Sequence, residues 1–204
     1  MKTTRRNLLR GVLAAGAGAG LTLAIGDEDA TAAIAPLKGA KTDGQVLFRL
    51  LAFEQLEEFA YGHIEATSVL PAQARSAIAR FLAQERRHGE LLMAELQKRG
   101  VAPPKPPSSV ADADRRLAAL LVARRLNEAH HELAAVHLLI GIETVAETIY
   151  YLAIRKLSGA LPSLAAQILG GEAQHWTGLS SLLHDGDPVH AVPRAFVPFA
   201  TPPS

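Results

Sequence analysis

Two segments of the chain repeat one pattern of charged residues within apolar, helix-forming sequence. "EQLEEFAY" (Glu54 to Tyr61) and "ETVAETIY" (Glu143 to Tyr150) carry Glu, Glu and Tyr at positions 1, 5 and 8. Each is followed by an E-x-x-H: "ERRH" (Glu85 to His88) lies 31 residues after Glu54, and "EAQH" (Glu172 to His175) lies 29 after Glu143. Glu and His at i and i+3 share one helix face. The neighbours Ile168, Leu169 and Leu179 turn that face partly inward. Burying a carboxylate or an imidazole costs free energy unless it is paired, so the fold must bring these groups together.

The helical reading rests on Ala- and Leu-rich sequence with few β-branched runs and no sustained alternation. The first helix is expected over Asp43 to Ser68. The second has Pro71 in its first turn and stops at Gly100. "VAPPKPPSSV" (Val101 to Val110) is too proline-rich for helix. A short helix near 111–124 and a long third helix from Asn127 to Leu157 follow. "SGALP" (Ser158 to Pro162) is the next turn, and the fourth helix runs to His184. Short loops make the first and second helices antiparallel, and likewise the third and fourth, with a long crossover between the pairs.

Helix rise tests whether the repeated groups can meet. The first hairpin turns near residue 70, with Glu54 16 residues before it and Glu85 and His88 15 and 18 after. The second turns near 160, with Glu143 17 before and Glu172 and His175 12 and 15 after. At about 1.5 Å per residue, each hairpin sets its three groups within roughly one turn of the same height. Packed face to face, the halves converge four glutamates and two histidines, and two divalent cations would supply the missing positive charge. The plain alternative is a buried salt-bridge and hydrogen-bond network without metal.

Composition narrows the chemistry. The chain has no cysteine, which excludes disulfides, thiolate sites and cysteine-held clusters. A metal must be held by His, Asp and Glu, which suit iron, manganese or zinc. Residues 1–35 read as an export signal: basic "TTRRNLLRG", an apolar Gly/Ala-rich stretch, then "ATA" and "AIA" as cleavage sites after Ala32 or Ala35. Arg5 and Arg6 followed by Asn7, Leu8 and Leu9 resemble the twin-arginine form of such signals. An uncleaved membrane anchor and a disordered tail are the alternatives. Without the first 32 residues, 17 basic and 17 acidic residues remain, a balance that argues against a nucleic-acid partner. The domain is expected over 36–184, with a proline-rich tail over 185–204.

The Glu/E-x-x-H set, with one lone Glu from each of two helices and one E-x-x-H from each of the other two, resembles the ferritin-like superfamily of carboxylate-bridged di-metal proteins. The ending "GGEAQHW…PVHAVPRAF" is similar to exported bacterial members. The resemblance implies an all-α, ferritin-like four-helix bundle with a long crossover between helices 2 and 3, and a centre of two Fe or Mn ions. Glu54 and Glu143 would be the single-Glu ligands, Glu85 and Glu172 would bridge, and His88 and His175 would be terminal. It further implies a reaction with O₂ or peroxide: ferroxidase, peroxidase or catalase-like. The other class is a non-catalytic metal-binding or structural protein linked with desiccation and stress. Rubrerythrin-type peroxidases carry a Cys₄ iron module that this chain lacks, so a reductant would come from a partner, or the reaction is a dismutation. The proline-rich tail speaks against a ferritin cage. The twin-arginine export machinery is the expected partner, delivering the protein to the periplasm or outside the cell; a homodimer and an external reductant are left open.

Other residues have plainer readings. Glu128 and His131 form a third E-x-x-H, 15 residues before Glu143, and are expected on a solvated helix face. Glu58 and Glu147, one turn beyond the lone glutamates, read as surface residues or as partners of the ligands, with a role as extra ligands the alternative. Tyr61 and Tyr150 would bond to ligand carboxylates or carry single electrons, with a satisfied core tyrosine as the plain alternative. His63, His130, His137, His184 and His190 lack a symmetric counterpart, and Trp176 is expected to pack. Gly170 and Gly171 are expected to let helix backbones approach beside the site.

Overall fold

The computed structural model describes residues 37–184. Five α-helices follow in order: α1 (Asp43–Ala66), α2 (Ala72–Lys98), α3 (Val110–Ala119), α4 (Glu132–Ile154) and α5 (Leu161–Leu183). A 3₁₀ turn at Leu126–Glu128 precedes α4, and there is no strand among the described residues. α1 packs along α2 and α4 along α5; α1 also faces α4, and α2 meets α5. This is the four-helix bundle with a long crossover between its second and third long helices that the sequence implied. The signal segment, its cleavage positions, the proline-rich tail and His190 lie outside the described residues.

Local chemistry sets the helix ends. Thr42 caps α1, its hydroxyl accepting from the Gln45 amide at 3.2 Å. Asp43 in the first turn sits well in the helix dipole. It also accepts from the backbone and side chain of Ser158 at 3.1 and 2.6 Å, tying the start of α1 to the α4–α5 turn. Pro71 is the residue just before α2, a position where its missing N–H costs nothing. α2 ends in a Schellman motif: Gly100 takes φ +65, its N–H bonds to the Gln97 carbonyl, and that of Val101 bonds to Leu96.

The crossover departs from expectation in two places. The short helix ends at Ala119, not near 124, in a second Schellman turn: Val122 N–H bonds to Leu117 O and Leu121 N–H to Ala118 O. Here Leu121 holds the left-handed position (φ 59), so no glycine marks the stop. The third long helix begins at Glu132, five residues later than expected. The Asp114 carboxylate accepts from the amides of Leu126 and Asn127 at 2.6 and 3.3 Å, holding that stretch as a 3₁₀ turn. His131 then caps α4, its Nδ1 accepting from Ala134 N–H at 3.2 Å. Glu128 and His131 are exposed, as expected, but lie on a turn and a cap, not on a helix face.

α1 and α4 form the middle of the core. Leu50, Ala60, Tyr61 and Ile64 of α1 and Leu138, Leu139, Ile142, Ala146, Ile149 and Tyr150 of α4 are fully buried. α4 is long and apolar enough to cross a membrane, but 56 % of its most apolar window is buried in the bundle. Its hydropathy is accounted for by the protein core.

Candidate metal centre

Glu54 and Glu143 stand midway along α1 and α4, Glu85 and His88 on α2, and Glu172 and His175 on α5. The structure brings all six to the bundle axis. The four glutamates are at most 1 % exposed and His175 is 0 %; the His88 side chain is 11 % exposed. They form two overlapping groups. Glu54, Glu85, His88 and Glu172 place one ligand atom each within 4.8 Å of one another, and so do Glu85, Glu143, Glu172 and His175.

Glu85 and Glu172 belong to both groups, and their oxygens divide between them. Oε1 of Glu172 is 3.1 Å from Nδ1 of His88, and Oε2 is 3.2 Å from Nδ1 of His175. Oε2 of Glu85 is 3.4 Å from Nδ1 of His88, and Oε1 is 2.7 Å from Nδ1 of His175. Each carboxylate thus turns one oxygen to each imidazole, the posture needed to bridge two ions. Glu54 serves only the His88 side (3.6 Å) and Glu143 only the His175 side (3.7 Å).

A second layer of contacts orients this set. The Tyr61 hydroxyl on α1 donates to Oε1 of Glu143 on α4, and the Tyr150 hydroxyl on α4 donates to Oε1 of Glu54 on α1. Both tyrosines are fully buried, so the reading in which they bond to the candidate ligands is the one the fold adopts. Nε2 of His175 is 2.7 Å from Oε1 of Gln84. A carbonyl oxygen only accepts, so Nε2 carries a hydrogen and Nδ1 is the nitrogen turned toward the carboxylates, where an ion would bind. The Trp176 indole packs beside the site and donates to Thr144 Oγ1 at 3.2 Å. Gly171 does make room beside the site, though for a side chain and not for a helix backbone: a Cβ there would stand 3.0 Å from Cε1 and Nε2 of the His88 ring. Gly170 does not, because a Cβ there would meet nothing within 4 Å.

Glu57 was not singled out by the repeat. It is 0 % exposed, and neither of its oxygens has a hydrogen-bond partner. The signal for it was local: it stands three residues after Glu54, on the same helix face. Its equivalent in the other half is Ala146, so a search for symmetric pairs passes over it. Glu58, which the repeat did mark, points outward and pairs with Arg86 at 3.0 Å. Glu147 is half-buried; burial first, then the charge of Glu172, raises its pKa. His63 and His137 are half-buried, and His130 and His184 are exposed.

The electrostatics are those of a pocket short of positive charge. No lysine or arginine is buried among the described residues, yet Glu54, Glu57, Glu85, Glu143 and Glu172 are. Burial, with the neighbouring carboxylates, pushes Glu57 and Glu143 well above the carboxylate range and Glu54 up to about 8. Burial would lower both histidines, but contact with Glu172, Glu54 and Glu85 outweighs it and raises His88 to about 12. Contact with Glu172 and Glu85 does the same for His175, to about 9. For Glu172, burial is outweighed by His175 and His88, and its pKa falls. Oε2 of Glu54 and Glu143, both oxygens of Glu85 and Glu172, and both inner imidazole nitrogens lack a hydrogen bond of good geometry. Buried polar atoms are rarely left so. Oxygen and nitrogen donors converging in two overlapping groups fit two divalent transition-metal ions.

Searches among curated proteins and among solved structures returned no match. The family model of the ferritin-like domain matches residues 42–185, a span that holds all four bundle helices and all six candidate ligands, and the chain therefore belongs to the ferritin-like family.

Proposed function

We propose that this is an exported di-metal carboxylate protein whose two ions, iron or manganese, react with O₂ or peroxide. The observation that carries the reading is the division of the Glu85 and Glu172 oxygens between two imidazoles, with no lysine or arginine buried among the described residues. Glu54, Glu85, His88 and Glu172 would hold one ion, and Glu85, Glu143, Glu172 and His175 the other. Bound there, the pair would share the two electrons needed to cleave an O–O bond.

The chain's own groups prepare the site for that chemistry. Tyr61 and Tyr150 each hold one oxygen of a single-Glu ligand, leaving the other oxygen free to bind. Gln84 fixes the orientation of the His175 ring. Phe81 lies against that ring at 4.7 Å between centroids and keeps water from it. His88 and His175, whose pKa values the surrounding carboxylates raise, would each give up a proton on binding an ion. The chain has no cysteine with which to relay electrons, so the reductant is external or the reaction is a dismutation. Export by the twin-arginine route is consistent with such a centre, because that route carries folded proteins and would let the ions be loaded before export.

Metal analysis of the protein from its exporting host, beside a Glu85→Ala/Glu172→Ala double variant, tests the reading. Two equivalents of iron or manganese are expected, and none in the variant. A wild type that stays metal-free after anaerobic incubation with Fe²⁺ and Mn²⁺ would refute it. Two ions without consumption of O₂ or peroxide would leave a non-catalytic metal binder. An Arg5→Lys/Arg6→Lys variant should be retained in the cytoplasm if the twin-arginine reading is right.

A further inference from the structure

The two halves of the centre are close copies, and the places where the copy fails are informative. Superposing the E-x-x-H segments pairs Glu85 with Glu172 and His88 with His175. It also pairs Gln84 with Gly171, the residue just before each glutamate. The two imidazoles consequently sit in different surroundings. His175 is 0 % exposed, its Nε2 is tied to Gln84 at 2.7 Å, and its ring lies against Phe81. His88 is 11 % exposed. Its Nε2 makes no hydrogen bond among the described residues, and its outer edge faces the bare backbone of Gly171. Its one aromatic neighbour among those residues is the His175 ring itself, 6.0 Å away.

A histidine can release an ion by rotating away from it. For His175 that motion breaks a hydrogen bond and must displace Phe81. For His88 it breaks no outer bond, and the outer edge of the ring rests only on the bare backbone of Gly171. Resting on the di-metal reading, we propose that the two metal positions are kinetically inequivalent. The ion among Glu54, Glu85, His88 and Glu172 is the exchangeable one, and the partly exposed edge of His88, beside Gly171, is where divalent cations enter and leave. Gln84 is a positioning residue that locks the ion on His175.

The test is release of Co²⁺, followed by its visible absorption, after mixing the two-cobalt protein with excess chelator. Wild type is expected to lose the two ions in two phases of equal amplitude, the first at least about ten-fold faster, in line with the effect of an outer partner on a metal-bound histidine. Gly171→Ala, whose methyl would stand 3.0 Å from the His88 ring, should change the fast phase alone. Gln84→Leu, at the surface end of the contact, should speed the slow phase alone. Gly170→Ala, whose added methyl meets nothing, should leave both phases as they were. Two ions leaving in a single phase would overturn the proposal, as would identical traces for Gly171→Ala and Gly170→Ala. Failure to bind two cobalt ions would overturn the di-metal reading itself, a result separable from either of these.

Discussion

Tyr61 on α1 donates its hydroxyl to Glu143 on α4, so each half of the bundle orients a candidate ligand that belongs to the other; Tyr150 returns the contact to Glu54. These paired bonds lie in the fully buried core and couple folding of the two hairpins to assembly of the site. Tyr61→Phe or Tyr150→Phe leaves a buried carboxylate oxygen unpaired. Each should cost about 1–3 kcal/mol of metal-free stability, read by urea denaturation. Two equivalents of metal should still bind, because all six candidate ligands remain.

Glu57 adds a fifth buried carboxylate with no partner for either oxygen. Glu57→Gln removes an ionisable group from a pocket already crowded with negative charge. The metal-free protein should change little in stability at neutral pH, because burial already keeps Glu57 protonated and the amide leaves the same buried atoms without partners. Affinity for Mn²⁺, measured by calorimetric titration, should fall, since a glutamine has no proton to give up when the ions bring in positive charge. A variant that loses apo stability and keeps full affinity would show Glu57 to be a packing residue.

The metal-free protein should lose stability as pH rises from about 4.5 to about 9. Folded Glu54 keeps its proton up to about 8, whereas the unfolded carboxyl releases it near the ordinary 4.5. Folded His88 and His175 keep theirs to about 12 and about 9, against the ordinary 6.5. The native state therefore binds more protons throughout this window, so raising the pH favours unfolding. Glu172, whose pKa is lowered, acts in the opposite sense and only on the acid side. Metal binding expels these protons, so metal affinity should rise over the same range. Thermal melts of apo and loaded protein at several pH values test both slopes.

Two glycines of α5 should respond oppositely to alanine. A Cβ at Gly170 meets open space, so Gly170→Ala should stabilise the helix by about 0.5–1 kcal/mol. A Cβ at Gly178 would stand 2.6 Å from Cζ of Phe81, whose ring covers His175. Gly178→Ala should cost about 1–3 kcal/mol through overpacking, offset in part by helix propensity. Denaturation midpoints of the two variants, compared with wild type, decide it.

Much of this was legible before any coordinates. Apolar periodicity and the stops at Gly100 and Pro71 defined the long helices. The Glu and E-x-x-H spacings fixed the height of each candidate ligand, because helix rise is constant, and the lack of cysteine restricted the donors to oxygen and imidazole nitrogen. What stayed hidden was whatever depends on a neighbouring helix. Periodicity sets the angle between Glu57 and Glu58 on α1, but not which of them α4 and α2 enclose. Nor does it reveal that Tyr61 reaches Glu143 and not Glu54 of its own helix. The stop at Leu121 and the late start of α4 depended on a left-handed leucine and on the carboxylate of Asp114, which no local propensity signals. Gln84 and Gly171 look unremarkable in sequence, yet they decide which histidine is tied on its outer side and which rests on bare backbone. A helix carries its own register in its sequence; the partner each face meets is set only when the helices pack, by side-chain volumes contributed from both sides.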